Sequence, residues 1–166
     1  IAKLSIYYGS KKVFLVDGNK KRLNLGFKNK KLIKLNLNNF KKQLNKNLGK
    51  KEQIDYGFVA CNSPKAQQEI LDLIRDGGTV NFFSGLKNKK KKVKVNLDTN
   101  IIHYKQLKIV GSHGCTKKNL ISAAKLIVNK KIDLSKIITD KYSIKNYAAA
   151  FKKFKSGNSL KVIINP

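Results

Sequence analysis

The stretch from Gly9 to Leu23, with the sequence GSKKVFLVDGNKKRL, decides the fold. Turn residues come first, the apolar run Val13 to Val16 follows, and Asp17 stands directly before Gly18. A four-residue apolar run between turn residues is typical of a strand in a parallel sheet that is covered on both faces. The pattern therefore predicts a buried strand with Asp17 at the carboxyl edge of its sheet, where open α/β folds bind ligands.

Two roles fit Asp17. In dinucleotide-binding folds, an acid at the end of the second strand accepts hydrogen bonds from the adenosine ribose and repels the extra phosphate of NADP. The alternative is an aspartate that only caps the helix that follows. A strand followed by Asp and Gly is a common pattern, so taken alone it leaves both roles open.

Strands and helices alternate along the rest of the chain. Ser63-Pro64 is a helix start, with an N-cap followed by proline at the first helical position, and Gly77-Gly78 is predicted to end that helix. The lysine-rich stretch Asn19–Asn29 is also predicted to be a helix, with Leu23, Leu25 and Phe27 as possible core contacts. Apolar runs predict further strands at Leu32–Leu35, Tyr56–Ala60, Val80–Phe83, Leu107–Val110 and Leu160–Ile164. This alternation predicts an α/β fold with a doubly wound parallel sheet.

The composition indicates a globular domain with an unusual surface. The chain has 166 residues, 41% of them hydrophobic, and a formal net charge of +28. Such a charge suits an anionic partner, yet Arg22 and Arg75 are the only arginines, and nucleic-acid readers favour arginine for bidentate contacts. The densest cluster, Lys87 to Lys94, is predicted to be a solvated loop. We therefore expect no specific nucleic-acid partner.

Sequence spacing supplies no catalytic centre. The phosphate loop G-x-G-x-x-G does not occur, and neither His103 nor His113 has Cys or acidic neighbours at metal-ligand spacing. Cys61 and Cys115 lie far apart, which favours a reduced, cytoplasmic protein, and Cys61 is expected to be a small core hydrophobe. No apolar run reaches the length of a membrane span. The chain contains no methionine and opens on Ile1, so we expect it to be processed, trimmed or part of a longer protein.

Several segments in one order carry a resemblance that covers essentially the whole chain. They are GSKKVFLVD, DYGFVACNSP, LIRDGGTVNFFSGL, NIIHYKQLKIVGSHG, KIDLSKIIT and AAAFKKFKSGNSLKVIINP. This succession resembles the zinc-dependent alcohol dehydrogenases of the medium-chain dehydrogenase/reductase family, and most of all the sorbitol and threonine dehydrogenase branch.

The resemblance implies a Rossmann NAD-binding domain that lacks its first strand, over residues 1–135. It implies that residues 136–166 return to a catalytic domain that precedes the Rossmann domain and is absent here. The phosphate loop and the zinc ligands would also precede this chain. No catalytic residue and no metal ligand is therefore expected within these residues.

Three of the implied cofactor contacts are charged. The acid that holds the adenosine ribose matches Asp17, and the basic residue five positions later, near the same ribose, matches Arg22. A basic residue in the last strand that can approach the pyrophosphate matches Lys161. Because lysine is so abundant here, the resemblance and not the charge selects these basic residues.

The other implied contacts follow two strands. The loop after the GGTV strand, which touches the cofactor near the nicotinamide ribose, matches Phe83, Ser84 and Gly85. The pair that meets the nicotinamide carboxamide matches Ser112 and His113. Each has a structural alternative: Phe83 as a core residue, Ser84 and Gly85 as residues that only shape a turn, and His113 as a solvent-facing loop residue.

The implied function is that of the NAD-binding portion of a zinc-dependent alcohol or polyol dehydrogenase, which transfers hydride from an alcohol to NAD. The family also implies a homo-oligomer, a dimer or a tetramer, and a small-molecule alcohol as substrate. The alternative is a non-catalytic fragment or basic module that binds nucleic acid or another anionic partner. A further alternative is a chain that folds only when another chain supplies the absent strand.

Overall fold

The computed structural model describes residues 1–86 and 93–166, and the chain divides into two compact units. Unit 1 comprises Ile1–Asn47 and Lys117–Pro166, and unit 2 comprises Leu48–Thr116. Both are α/β with parallel strand pairs, as predicted. The predicted boundary between residues 135 and 136 separates domains of the family's enzymes and does not correspond to the division into compact units. It stays a prediction.

Unit 1 has two separate pairs of parallel strands with helices between them. Strand β1 pairs with β2 in a register that runs from Val13 opposite Leu32 to Asp17 opposite Asn36. Strand β6 pairs with β7, and helix α7 connects them. The elements of unit 1 are α1 (Ala2–Tyr7), β1 (Val13–Asp17), α2 (Lys20–Asn24), β2 (Leu32–Asn36), α3 (Phe40–Asn47), α6 (Lys117–Val128), β6 (Ile138–Ser143), α7 (Tyr147–Lys155) and β7 (Lys161–Asn165).

Two sequence predictions for unit 1 are wrong. Strand β1 is not buried on both faces, because Leu15 and Val16 are each 38% exposed. Adjacent side chains of a strand point to opposite faces, so the exposure of Leu15 and Val16 shows that neither face of β1 is fully covered. Helix α2 ends at Asn24, not at Asn29, because Gly26 adopts a φ of +80°, which stops the helix.

Unit 2 is built on a three-stranded parallel sheet in the order β3-β4-β5. Helix α4 covers β3 and β4, and it begins as predicted, with the Ser63 side chain accepting from Ala66 N at 3.2 Å. The core contains Leu71, Ile74, Val80 and Leu107. The elements of unit 2 are β3 (Ile54–Val59), α4 (Pro64–Leu73), β4 (Ile74–Phe82), α5 (Thr99–Tyr104) and β5 (Lys108–Gly111).

Gly77-Gly78 does not end helix α4. The helix ends at Leu73, and the strand already begins at Ile74, so both glycines lie inside β4. A Cβ on Gly78 would stand 2.4 Å from Ile74 Cγ2 and 2.9 Å from the Asp55 carbonyl oxygen. The Arg75 carbonyl oxygen of β4 lies equally near, at 2.9 Å. The glycine is therefore required by crowding from the start of β4 itself and from β3, and the contact with β3 is one that local helix-stop signals do not carry.

The strand pairs fit one topology. The 3-2-1-4-5-6 order of a Rossmann sheet, with strand 1 left out, leaves strand 2 next to strand 3, and strands 4, 5 and 6 in a row. The described pairs, β1 with β2 and β3-β4-β5 in order, are those neighbours.

Most of the lysine cluster Lys87 to Lys94 lies outside the described residues, so its prediction as a solvated loop stays a prediction. In the part of the chain that the structure describes, no helix is long and apolar enough to cross a membrane.

Candidate functional site

Asp17 ends β1 and is held by two neighbours. Its Oδ1 accepts from Asn19 N at 2.9 Å, and its Oδ2 accepts from Arg22 Nε at 2.9 Å and also from Arg22 Nη2. The Asp17 side chain is 22% exposed and that of Arg22 is 42% exposed. Arg22 thus fixes the carboxylate, and the pair is only partly covered by the rest of unit 1.

The helix-capping role is filled by another residue. The N-cap of α2 is Asn19, whose Oδ1 accepts from Arg22 N at 3.1 Å. Asp17 lies two residues earlier and binds the amide of the cap residue itself. The capping alternative for Asp17 is therefore wrong, and the carboxylate is left at the strand end as a separate acceptor.

Asn19 also ties α2 to the segment before β7. Its Nδ2 donates to Gly157 O at 3.0 Å and lies 3.4 Å from Asn158 Oδ1. Lys161 begins β7 shortly after this segment and is exposed. The structure thus brings the segment preceding Lys161 against the start of α2, while Asp17 and Arg22 are in direct contact.

The end of β4 folds over the end of β3. The amides of Phe83 and Ser84 both donate to Val59 O, at 3.1 and 3.0 Å. The Phe83 ring is 52% exposed, so its alternative role as a core residue is wrong. A Cβ on Gly85 would meet no atom of the described residues within 4 Å, so steric crowding does not require glycine there.

The end of β5 lies beside the end of β4, since Gly111 is opposite Phe82. Ser112 Oγ donates to Asn81 Oδ1 at 2.9 Å, and the following His113 is exposed. The sequence patterns did not select Asn81 as a site residue, although an amide side chain inside the apolar stretch GGTVNFF is unusual. Phe83, Ser84 and Gly85 therefore share one sheet edge with Ser112 and His113.

Each group, taken by itself, offers chemistry that suits a part of a nucleotide. In unit 1, a carboxylate fixed by a guanidinium can accept from a pair of hydroxyls. In unit 2, an exposed aromatic ring, a hydroxyl and an imidazole stand at the carboxyl ends of parallel strands, beside glycine positions with open space. A Cβ on Gly111 would likewise meet nothing within 4 Å, which leaves room for close approach of a ligand.

Neither cysteine belongs to the core. Cys61 and Cys115 are both exposed and free, so the interpretation of Cys61 as a core hydrophobe is wrong. Within residues 1–86 and 93–166, no three His, Cys, Asp or Glu side chains are grouped so that they could hold a metal ion.

Comparison with known proteins identifies the family. The family model described as "Zinc-binding dehydrogenase" matches residues 1–129. The chain belongs to this family. Its predicted resemblance to the zinc-dependent medium-chain dehydrogenases is thereby confirmed.

The family's curated members include a similar L-threonine 3-dehydrogenase of Pseudoalteromonas translucida (strain TAC 125). It is 30% identical over 165 residues, which are 99% of this chain and 47% of that protein. The chain thus spans about half the length of the curated relatives it matches.

Solved structures show the same fold. An alcohol dehydrogenase of Escherichia coli CFT073, complexed with NADH, has a TM-score of 0.77 at 17% identity, over 98% of this chain and 47% of that one. A zinc-binding dehydrogenase of Sinorhizobium meliloti 1021, bound to NADP, has a TM-score of 0.77 at 17% identity, over 99% of this chain and 48% of that one. At these identities the likeness establishes the fold, which confirms the predicted α/β Rossmann class.

Proposed function

We propose that the chain is the NAD-binding portion of a zinc-dependent alcohol or polyol dehydrogenase. The complete enzyme would transfer hydride from a small alcohol to NAD. Family membership supports the dehydrogenase class, and the relatives named as threonine and alcohol dehydrogenases support an alcohol group as the reacting centre.

The observation that carries this proposal is the carboxylate at the end of β1. Asp17 is neither a helix cap nor solvated on all sides; it is fixed by Arg22 and by the amide of Asn19. A fixed acceptor at this edge of a Rossmann sheet would accept from both ribose hydroxyls. Because the carboxylate is already held, little further ordering would be needed when the ribose binds.

The remaining predicted residues would orient the cofactor. The exposed ring of Phe83 and the neighbouring Ser84 and Gly85 would lie along the nicotinamide ribose. Ser112 and His113 would meet the carboxamide, and Lys161 would approach the pyrophosphate. Bound NAD would supply the hydride acceptor, and the part played by these residues would be orientation and electrostatics.

Asp17 favours NAD over NADP, because a 2′-phosphate would meet its negative charge. Arg22 reduces this preference, since its guanidinium partly neutralises that carboxylate and can itself pair with a phosphate. We expect NAD to be preferred by a moderate factor. Zinc, which the family implies, would be held by residues other than those described here.

We also propose the setting of the complete enzyme. It would be a cytoplasmic homo-oligomer, a dimer or a tetramer, as the family resemblance implies. Its partners would be a small alcohol or polyol and the cofactor, with no specific nucleic acid and no membrane. A sequence-selective affinity for RNA or DNA would instead support the basic-module alternative, because the charge alone gives only salt-sensitive binding.

Calorimetric titration of the complete natural polypeptide with NADH and with NADPH tests the proposal. We expect both to bind at one site per chain, NADH more tightly, and each to be displaced by NAD. Failure of both nucleotides to bind would refute the assignment of a cofactor site.

A further inference from the structure

Asn19 connects the two parts of unit 1 that would supply charged cofactor contacts. Its backbone N–H donates to Asp17 Oδ1 at 2.9 Å, and its side-chain Nδ2 donates to Gly157 O at 3.0 Å. Gly157 lies four residues before Lys161, which begins β7. One residue therefore contacts the predicted ribose acceptor and also the segment that leads to the predicted pyrophosphate contact.

The segment from residue 157 to residue 160 is fixed at both of its ends. At the first end Gly157 O accepts from Asn19 Nδ2, and at the second end Leu160 N donates to Thr139 Oγ1 on β6 at 3.1 Å. Between these two bonds Ser159 is buried. The backbone that carries Lys161 is therefore already ordered, and Asn19 supplies the bond that ties it to α2.

The capping of α2 does not explain why residue 19 is an asparagine. The cap uses only the side-chain oxygen, which accepts from Arg22 N at 3.1 Å. Serine is equally favoured at an N-cap, and Ser63 makes the corresponding bond to Ala66 N at 3.2 Å at the start of α4. What asparagine adds to such a cap is the Nδ2 donor, and that donor is bound to Gly157 O.

A tie between the two charged contacts matters for a ligand that uses both. The ribose of a bound adenosine diphosphate would meet Asp17, and its pyrophosphate would meet Lys161. A contact on an ordered backbone loses less conformational entropy when the ligand binds. Loss of the tie should therefore weaken the binding of the pyrophosphate and leave the binding of the ribose as it is.

We propose that Asn19 is a positioning residue that acts through Gly157. It holds Lys161 in a fixed place relative to Asp17, so that one nucleoside diphosphate engages both residues. This inference rests on the proposed function, because it assumes that the two residues contact the cofactor. Its test compares adenosine with ADP, so the failure of cofactor binding and the failure of the positioning role are separate results.

Asn19→Ser in the complete natural polypeptide removes the Nδ2 donor and keeps the cap. Calorimetric titration with ADP, alone and in competition with adenosine, gives both dissociation constants. We expect the Kd of ADP to rise about three- to tenfold, the factor that corresponds to one hydrogen bond. The Kd of adenosine should change little, because serine retains the backbone N–H that holds Asp17. Asn19→Thr, which also keeps the cap, is the second variant if Asn19→Ser does not fold.

Lys161→Met distinguishes positioning from a general effect on structure. If Asn19 acts through Lys161, adding Asn19→Ser to Lys161→Met leaves the Kd of ADP where Lys161→Met alone has put it. A rise in the Kd of ADP that persists in the Lys161→Met background overturns the inference. An equal rise in the Kd of adenosine overturns it as well, since adenosine carries no pyrophosphate.

Asn29→Ser is the matched control. Asn29 is exposed, its Oδ1 accepts from Lys31 N at 2.8 Å, and it precedes β2 at the opposite end of the strand pair from Asp17. We expect Asn29→Ser to bind ADP as the parent does. Unchanged ADP affinity in a folded Asn19→Ser variant, or a parent that binds NADH but not ADP, overturns the inference and leaves the proposed function standing. A parent that binds neither nucleotide refutes both.

Discussion

The substitution Asp17→Ala should weaken NADH binding by the complete polypeptide without unfolding it. In the proposed site the carboxylate would accept from two ribose hydroxyls, and hydrogen bonds to charged groups contribute about 1.5–3 kcal/mol each. Water replaces part of each bond, so we expect a net loss of about 2–3 kcal/mol for the pair. That loss corresponds to about a 30- to 150-fold rise in Kd.

The free energy of unfolding should change little in Asp17→Ala. The Asp17–Arg22 ion pair is part-exposed, with Arg22 at 42%, and such pairs contribute about 0–1 kcal/mol after solvent screening. Affinity for NADPH should fall less than affinity for NADH, or rise, because the negative charge that repels the 2′-phosphate is gone. The ratio of the two affinities therefore reports on Asp17 independently of protein yield.

Fluorescence titration with NADH and NADPH measures both constants. The control is Asp55→Ala, which removes the carboxylate of another Asp–Arg pair, with Arg75 Nε 2.6 Å from Asp55 Oδ1, near the amino end of β3. We expect Asp55→Ala to bind NADH as the parent does. An unchanged NADH affinity in a folded Asp17→Ala variant would refute the assignment of Asp17.

Three test substitutions, two of them with a matched control, probe the packing and the open edge of unit 2. Gly78→Ala should lower the free energy of unfolding, measured with urea, by about 1–3 kcal/mol or more, because the added methyl group overpacks the site. Its control is Gly111→Ala, whose new Cβ would have no atom of the described residues within 4 Å. The control should change the free energy of unfolding by less than about 0.5 kcal/mol. Gly85→Val should leave the unfolding curve in place yet raise the Kd for NADH, since the added side chain fills open space; an unaltered Kd would remove Gly85 from the site. Lys105→Met should lower the free energy of unfolding by about 1–2 kcal/mol, because the Lys105 ammonium group donates to three carbonyl oxygens at the end of α4. Its control is Lys108→Met, which changes an exposed lysine and should leave the free energy of unfolding unchanged.

Local signals predicted those parts of the fold that neighbouring residues determine. The apolar run that ends at Asp17 is β1, and Ser63-Pro64 begins α4, because a strand end and an N-cap are set within a few residues. The prediction that Gly77-Gly78 ends helix α4 is wrong because residues far away in sequence also determine this position. Gly78 lies against the Asp55 carbonyl oxygen of β3, twenty or so residues away in sequence, and no short pattern distinguishes that from a helix stop.

The burial of side chains is the second property that sequence patterns predicted incorrectly. The apolar run Val13 to Val16 predicted that β1 is covered on both faces, yet Leu15 and Val16 are partly exposed, because coverage depends on which elements lie on each face. For the site, the resemblance selected Phe83 and Ser112, whereas Asn81 became visible only through its hydrogen bond to Ser112. The roles of these residues towards a cofactor stay predictions that ligand binding must test.

We propose that these residues are one portion of a longer dehydrogenase. Mass spectrometry of the intact natural polypeptide tests this proposal. Because the chain covers 47% of a curated relative, we expect a mass about twice the 18.7 kDa of this chain. A natural polypeptide of about 18.7 kDa would refute the proposal, since the proposed cofactor site would then lack the domain that completes it.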